Sequence, residues 1–112
     1  MDKIVSKISA FGVPGLILLV AISATGLTGA AAITAALAAI GPGGILGGIA
    51  TLGLAGLILE GLNEWGFEAI FSAVVKELYA KGETKESILQ KIKKYPISKS
   101  LKRKLKEDLE ML

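Results

Sequence analysis

Residues 8–59 read ISAFGVPGLILLVAISATGLTGAAAITAALAAIGPGGILGGIATLGLAGLIL. These 52 consecutive residues contain no Asp, Glu, Lys, Arg or His, and the charged residues on either side are Lys7 and Glu60. One charged side chain at the middle of a bilayer costs roughly 2.5–3.5 kcal/mol on insertion scales, whereas a soluble domain has no need to exclude charge over such a length. The stretch therefore predicts apolar helices that lie in a lipid bilayer.

The apolar stretch is too long for one membrane span, because about 20 residues already cross a hydrocarbon core of roughly 30 Å. Gly41-Pro42-Gly43-Gly44 predicts a reversal, since proline lacks an amide hydrogen and glycine accepts backbone angles that other residues avoid. The first helix would hold Pro14 in its first turn and end at Ile40, and the second would cover Gly43 to Leu59. Thr25-Gly26-Leu27-Thr28-Gly29 predicts either a kink or a break in the first helix. The stretch is therefore a helical hairpin or three short apolar helices.

Residues 64–80 follow a different pattern, with apolar side chains at helical spacing and charged ones elsewhere, which is typical of an amphipathic helix. Its apolar positions are Phe67, Ile70, Phe71, Val74, Val75 and Leu78. Gly82 is suited to end this helix and Thr84 to cap the next one. Pro96 separates that helix from a last one, which Ser98 or Ser100 would cap.

The two C-terminal helices are also predicted to carry one apolar stripe each, and so to need a surface to pack on. The stripes are Ile88, Leu89 and Ile92 in the first helix, and Leu101, Leu105, Leu109 and Leu112 in the second. The sequence thus predicts an all-α protein in two regions. Residues 1–62 form an N-terminal arm and the apolar membrane helices, and residues 63–112 form an amphipathic and basic helical region.

Composition excludes most catalytic chemistry. The 112 residues include no Cys and no His, so the chain offers no disulfide framework, thiolate nucleophile, imidazole base or zinc site of the usual ligands. No paired acid and base can be assembled from the residues that remain. We therefore predict a protein that is not an enzyme and that holds no cofactor or metal ion.

Small residues recur at four-residue spacing in the apolar stretch. Such rows let helix backbones approach closely in lipid, where no hydrophobic effect drives helices together. The candidate helix-packing residues are Ala24, Thr28, Ala32, Ala36, Gly43, Gly44, Gly47 and Gly48. They predict packing within one hairpin, packing between subunits of a homo-oligomer, or both.

Glu60, Glu64 and Glu68 follow one another at four-residue steps, so one helical face would carry three carboxylates near the membrane interface. At the mouth of a pore such a ring concentrates cations. The alternative interpretation is the solvated face of an amphipathic helix. Trp65 lies where an aromatic residue would mark the membrane interface.

Basic charge is concentrated toward the C-terminus, where residues 76–112 hold eleven Lys or Arg against six Asp or Glu. Candidates for contact with anionic lipid headgroups are Lys99, Lys102, Arg103, Lys104 and Lys106. The alternative is pairing within the helix, because Arg103/Glu107, Lys104/Asp108 and Lys106/Glu110 are four residues apart. Nucleic acid is not predicted as a partner, because no base-stacking aromatic residue accompanies these cations.

Two spans place both chain ends on one side of the membrane. The positive-inside rule makes that side cytoplasmic, because Lys3, Lys7 and the basic C-terminal region all lie there. We therefore predict a membrane protein with both termini in the cytoplasm.

The runs Gly26–Ala36 and Gly43–Leu52 resemble the core of the interferon-alpha-inducible family of small Gly/Ala-rich membrane proteins. The resemblance covers about residues 24–57 and implies a multi-helix membrane protein linked to stress, cell death or antiviral defence. Phe11-Gly12-Val13-Pro14 and Ala38–Gly44, with a Lys-rich helix further on, are similar to elements of circular bacteriocins of saposin-like fold. That similarity implies permeabilisation of rival cells, although residues 83–112 extend well beyond the bacteriocin pattern.

Three functional hypotheses follow. The first is a homo-oligomeric membrane protein that forms a pore or lesion, as a toxin or as a cell-death or antiviral-defence effector. The second is a non-conducting membrane anchor whose C-terminal helices recognise a protein partner. The third is a compact, bacteriocin-like soluble bundle that buries its apolar helices and opens on contact with lipid.

Overall fold

A computed structural model describes residues 1–26, 29–40 and 48–112. For residues 30, 39 and 48–52 it describes the backbone alone. Within these ranges the chain forms seven helices and no strand, which confirms the predicted all-α class. In chain order they are α1 (Asp2–Ala10), α2 (Val13–Ala24), α3 (Gly29–Ile40), α4 (Gly48–Trp65), α5 (Phe67–Ala80), α6 (Lys85–Lys94) and α7 (Lys99–Glu110).

The N-terminal arm is itself a helix. Ile4, Val5 and Ile8 of α1 are buried and form its inner face, which packs against α5, α4 and α2. Lys3 and Lys7 are exposed on the other side. Apolar residues at positions 4, 5 and 8 follow the spacing of one helical face, and this explains why the short segment is helical.

A sharp corner joins α1 to α2. The two helices are bent by 118° relative to one another. Gly12 has a φ of 69°, a conformation that side-chain-bearing residues rarely adopt, and Pro14 follows in the first turn of α2 as predicted. Gly15 lies so close to α1 that a Cβ there would overlap the Ile8 carbonyl oxygen. The corner therefore depends on glycine at both positions.

The first apolar helix is broken rather than kinked. Helix α2 ends at Ala24 and α3 begins at Gly29, and Gly26 and Gly29 have φ values of 66° and 60°. A continuous α-helix cannot contain these angles, so the alternative with short apolar helices is the one observed. The predicted reversal at residues 41–44 lies outside the described residues.

The amphipathic helix predicted for residues 64–80 is shorter at its N-terminal end. Gly66, with a φ of 84°, separates α4 from α5. The predicted apolar face is otherwise confirmed, because Ile70, Phe71, Val74, Val75 and Leu78 are buried and Phe67 is half-buried.

The predicted ends of the last helices are observed. Gly82 has a φ of 104° just beyond α5. Thr84 caps α6, because its Oγ1 accepts a hydrogen bond from the Ser87 amide at 3.0 Å, and the Thr84 amide donates to Ser87 Oγ at 2.8 Å. Of the two candidate caps for α7, Ser98 is the one used, since its Oγ accepts from the Leu101 amide at 3.2 Å.

All seven helices enclose one hydrophobic core, with α2 at its centre. The principal-axis extents are 32, 29 and 24 Å. Helices from residues 1–62 and from residues 63–112 share this core, because α2 packs against α5, α6 and α7.

Candidate functional site

Helix α2 is apolar and buried on every side. Five consecutive residues, Leu16 to Val20, each have 0% of their surface exposed. Successive residues of an α-helix are 100° apart, so five of them cover the whole circumference. A helix that is hydrophobic all round belongs either in the core of a protein or in a membrane. In this chain the surroundings are supplied by the other six helices.

The helices around α2 differ in chemistry. The apolar helices α3 and α4 cover part of it, and α1 and α5 cover it with the inner faces of amphipathic helices. Helices α6 and α7 complete the cover, and both carry many cations. One part of the cover is therefore built from the basic region of the chain.

Helix α7 rests on α2 through the predicted leucine stripe. Leu101, Leu105 and Leu109 are all buried, as predicted. Leu112 is not part of the stripe, because α7 ends at Glu110 and 57% of Leu112 is exposed. The prediction was wrong at that position because it assumed that the helix continues to the last residue.

The five predicted lipid-binding cations all lie on α7. Lys99, Arg103, Lys104 and Lys106 are exposed, and Lys102 is half-buried. The Lys102 ammonium donates to the Lys93 carbonyl oxygen at 2.9 Å and so ties α7 to α6. The structure brings these cations together on the outer side of the helix that covers α2.

Two of the three predicted ion pairs within α7 are formed. Lys104 Nζ lies 2.9 Å from Asp108 Oδ1, and Lys106 Nζ lies 4.0 Å from Glu110 Oε1. Arg103 is exposed and, among the described residues, forms no ion pair within 4.0 Å. Lys99 is likewise unpaired in that part of the chain.

The predicted row of small residues is divided by the break after α2. Ala24 is exposed at the end of α2, whereas Ala32 and Ala36 are fully buried in α3, which packs on α2. Ala24 and Ala32 therefore lie on different helices, and the packing of these small residues between subunits stays a prediction. Thr28, Gly43, Gly44 and Gly47 lie outside the described residues, and Gly48 is the first residue of α4.

The predicted acidic face is divided in the same way. Glu60 and Glu64 lie on α4 and Glu68 lies on α5, with the positive φ of Gly66 between them. All three carboxylates are exposed, but they do not form one row on one helix, so that prediction was wrong. Trp65 is the last residue of α4, and 37% of it is exposed.

Asp108 is buried, with only 7% of it exposed, although the sequence analysis considered it only as a partner for Lys104. A signal was available, because position 108 is three residues after Leu105 and seven after Leu101 and so belongs to the apolar stripe of α7. Within the described ranges, Asp108 and Ser9 are the buried polar residues.

The described residues form mainly apolar and basic surfaces. No group of three or more Cys, His, Asp or Glu that could hold a metal ion occurs in this part of the chain. One carboxyl group is perturbed: hydrogen bonds from Lys91 and then Ser87 lower the pKa of Glu83 below its usual value. Glu83 lies just before α6, and Ser87 and Lys91 lie on it.

A scan of protein-family models, a search of curated proteins and a search of solved structures each found no match to this chain. The two resemblances described above stay predictions. Among the residues that the structure describes, no single helix is both long and apolar enough to cross a bilayer. Helices α1 and α2 meet those criteria only as a pair, across their 118° bend.

Proposed function

We propose that this protein permeabilises membranes and that the seven-helix bundle is its closed form. Opening means that α7 leaves α2 for an anionic lipid surface and that the apolar helices then enter the bilayer. The observation that carries this proposal is that α2, apolar on every side, lies directly under α7, which holds the five predicted lipid-binding cations.

Lipid can replace the protein core around α2 without a large hydrophobic penalty, because acyl chains and a protein interior both remove apolar surface from water. A helix also satisfies its own backbone hydrogen bonds in lipid. What must be supplied is the free energy that detaches the cover. A Lys or Arg near an anionic surface contributes about 1 kcal/mol, so Lys99 and Arg103, which have no ion pair among the described residues, offset about 2 kcal/mol of the 5–15 kcal/mol that stabilises a typical domain. Lys104 and Lys106 add to this as they leave Asp108 and Glu110.

Length determines which segment inserts. Helix α2 has 12 residues, about 18 Å at 1.5 Å per residue, which is less than a hydrocarbon core of roughly 30 Å. If the corner at Gly12 opens, the charge-free residues Ile8 to Ala24 form one helical segment of 17 residues, the lower limit for a span, with a kink at Pro14 because proline has no amide to donate. Lys3 and Lys7 would then lie at the headgroups.

Assembly into oligomers belongs to the open form in this proposal. Ala32 and Ala36 are buried against helices of the same chain, so their close-packing face is occupied while the bundle is closed. Once α3 separates from α2, the same face can pack against a second copy.

Dye leakage from vesicles tests the proposal. We expect the protein to release calcein from vesicles that contain phosphatidylglycerol and to leave pure phosphatidylcholine vesicles intact. Lys99→Gln with Arg103→Gln and Lys106→Gln should reduce leakage at least tenfold. The matched control, Lys76→Gln with Lys85→Gln and Lys94→Gln, removes the same charge from surfaces outside α7 and should retain most of the activity. No leakage from the anionic vesicles, or equal loss in both triple variants, would contradict the proposal.

A reversible tether tests whether α7 must move. The chain contains no cysteine, so Ala69→Cys and Met111→Cys create a unique thiol pair. Both positions are exposed and line one cavity between α5 and the end of α7. A disulfide-containing bismaleimide across this pair should abolish leakage, and reduction of the tether should restore it. Undiminished leakage from the tethered protein would show that α7 need not leave the bundle.

A further inference from the structure

A cavity between α5 and α7 has the properties of a small-molecule site. Its volume is about 630 Å³, within the range of about 300–1,000 Å³ that is usual for ligand pockets. The lining residues on which the argument depends are Phe67, Glu68, Phe71, Lys104, Asp108 and Met111. The cavity lies outside the contact of α2 with α7 on which the proposed function rests.

Asp108 supplies an unsatisfied acceptor in the lining of this cavity. Its Oδ1 accepts a hydrogen bond from Lys104 Nζ at 2.9 Å. Its Oδ2 is buried and, among the described residues, has no hydrogen-bond partner. A buried carboxylate oxygen without a donor is destabilising, so a donor that reached Oδ2 would bind favourably. The acceptor therefore selects a ligand with N–H or O–H groups.

The rest of the lining is aromatic and aliphatic. The rings of Phe67 and Phe71 are stacked, with centroids 5.1 Å apart and planes inclined by 26°. Lys104 Nζ lies 6.0 Å from the centroid of the Phe67 ring. Met111 is 83% exposed at the rim. These side chains offer a surface for a hydrocarbon or aromatic body next to the carboxylate.

The charges of the lining favour a cation over an anion. Glu68 and Asp108 provide two carboxylates, and the ammonium of Lys104 is already paired with Asp108. An anionic ligand would meet Glu68 and would leave Oδ2 without a donor. A cationic ligand satisfies Oδ2 and meets the second carboxylate at the rim.

We propose that the cavity between α5 and α7 binds an organic cation in which a primary ammonium group is attached to an apolar body. The ammonium donates to Asp108 Oδ2, and the apolar body packs on Phe67, Phe71 and Met111. Because Oδ2 is shielded from solvent, binding includes a side-chain rotation at the rim, where Lys104 and Met111 are exposed. Free amines and the headgroups of ethanolamine phospholipids share this chemistry.

Binding is tested with 4-phenylbutylammonium, followed by NMR shifts of the Phe67 and Phe71 rings and by calorimetry. We expect saturable binding that is at least tenfold tighter than that of 4-phenylbutanol or 4-phenylbutyrate, which have the same body without the cation. Equal affinity for the three compounds, or no binding of the amine, would overturn the proposal. A second arm compares lysophosphatidylethanolamine with lysophosphatidylcholine, whose headgroup has no N–H. Competition by the first lipid alone identifies the lipid headgroup as a source of the ligand, and failure of both lipids identifies a free amine.

Two variants locate the site. Asp108→Asn keeps the shape of the side chain but loses the charge, and it should weaken binding of the amine at least tenfold, whereas Glu110→Gln on the exposed side of α7 should leave binding unchanged. Ala69→Trp fills the cavity from an exposed position and should abolish binding even if Asp108→Asn impairs folding. Unchanged affinity in Ala69→Trp would place the amine elsewhere and so overturn the proposal.

Discussion

Helices α2 and α7 lie against one another and have the same length of 12 residues, but they are specified in opposite ways. Helix α2 has no charged residue, and Gly12, its N-cap, offers no side chain for capping. Helix α7 has eight charged residues and is capped by Ser98. The sequence of α2 requires an apolar environment and specifies little else, whereas the sequence of α7 specifies its boundaries and the face that it buries.

This difference determines which helix is suited to leave the bundle. Most cations of helix α7 are already exposed to water, and its departure would uncover mainly its leucine stripe and Asp108. If helix α2 left the bundle for water, it would expose every side chain, so it must pass directly from the protein core into another apolar environment. Membrane opening in the proposed order, with α7 first and α2 second, follows from this asymmetry.

The largest effect is expected for a cavity made in α2. Leu18 is fully buried at the middle of the helix, so Leu18→Ala should lower the free energy of unfolding by about 2–5 kcal/mol. Chemical denaturation followed by circular dichroism measures the change. Leu112→Ala, at an exposed leucine beyond α7, should change it by less than about 0.5 kcal/mol. Similar losses in the two variants would show that α2 is not the centre of the core.

The second largest effect on stability is expected at the corner between α1 and α2. In Gly15→Ala the new methyl group would overlap the Ile8 carbonyl oxygen, so α1 and α2 must move apart. We expect a loss of about 1–3 kcal/mol, the usual range for overpacking. In Gly53→Ala, on the exposed side of α4, the methyl group meets nothing within 4 Å. That control should gain up to about 1 kcal/mol, because alanine favours a helix over glycine.

A smaller loss of stability is expected when the N-cap residue of α7 is replaced. Ser98→Ala removes the hydroxyl that accepts from the Leu101 amide, and should cost about 0.5–2 kcal/mol of stability. Ser100→Ala removes an exposed hydroxyl two residues further on and should have little effect on thermal unfolding. Equal losses would mean that either serine can cap α7, which is the alternative that the sequence left open.

The contrast between the two helices also explains how much could be predicted. Thr84, Pro96 and Ser98 act locally, so the limits of α6 and α7 could be predicted from a few neighbouring residues. The buried faces of α5 and α7 could be predicted as well, because their apolar residues recur at helical spacing. The burial of Asp108 was not predicted, because the sequence analysis considered its pairing with Lys104 and not its position on the apolar stripe.

The apolar stretch was harder to predict, and the reason is physical. A helix with apolar residues on all sides has no periodicity, so its sequence does not say which neighbours it contacts or whether they are protein or lipid. The choice between a kink and a break at residues 25–29 depends on tertiary packing that glycine permits but does not dictate. Gly66 was a visible signal for dividing α4 from α5, and with it the row of Glu60, Glu64 and Glu68.

The smallest effect is expected at Glu83, where a carboxylate supports the first turn of α6. Lys91 Nζ donates to its Oε2, and Ser87 Oγ donates to its Oε1 at 2.6 Å, so the pKa of Glu83 is lowered in the folded protein. A lowered folded pKa stabilises the protein above the unfolded pKa of about 4.5, and this contribution is lost as the pH falls through the folded value. Glu83→Gln should therefore reduce stability near pH 7 by less than about 1 kcal/mol, because Lys91 is half exposed. The difference in melting temperature between Glu83→Gln and the protein with Glu83 should become smaller below about pH 4.5 and vanish in stronger acid. Glu64→Gln, at an exposed carboxylate of α4, should show no such narrowing, and a difference at Glu83 that is constant with pH would rule out the ion pair as its cause.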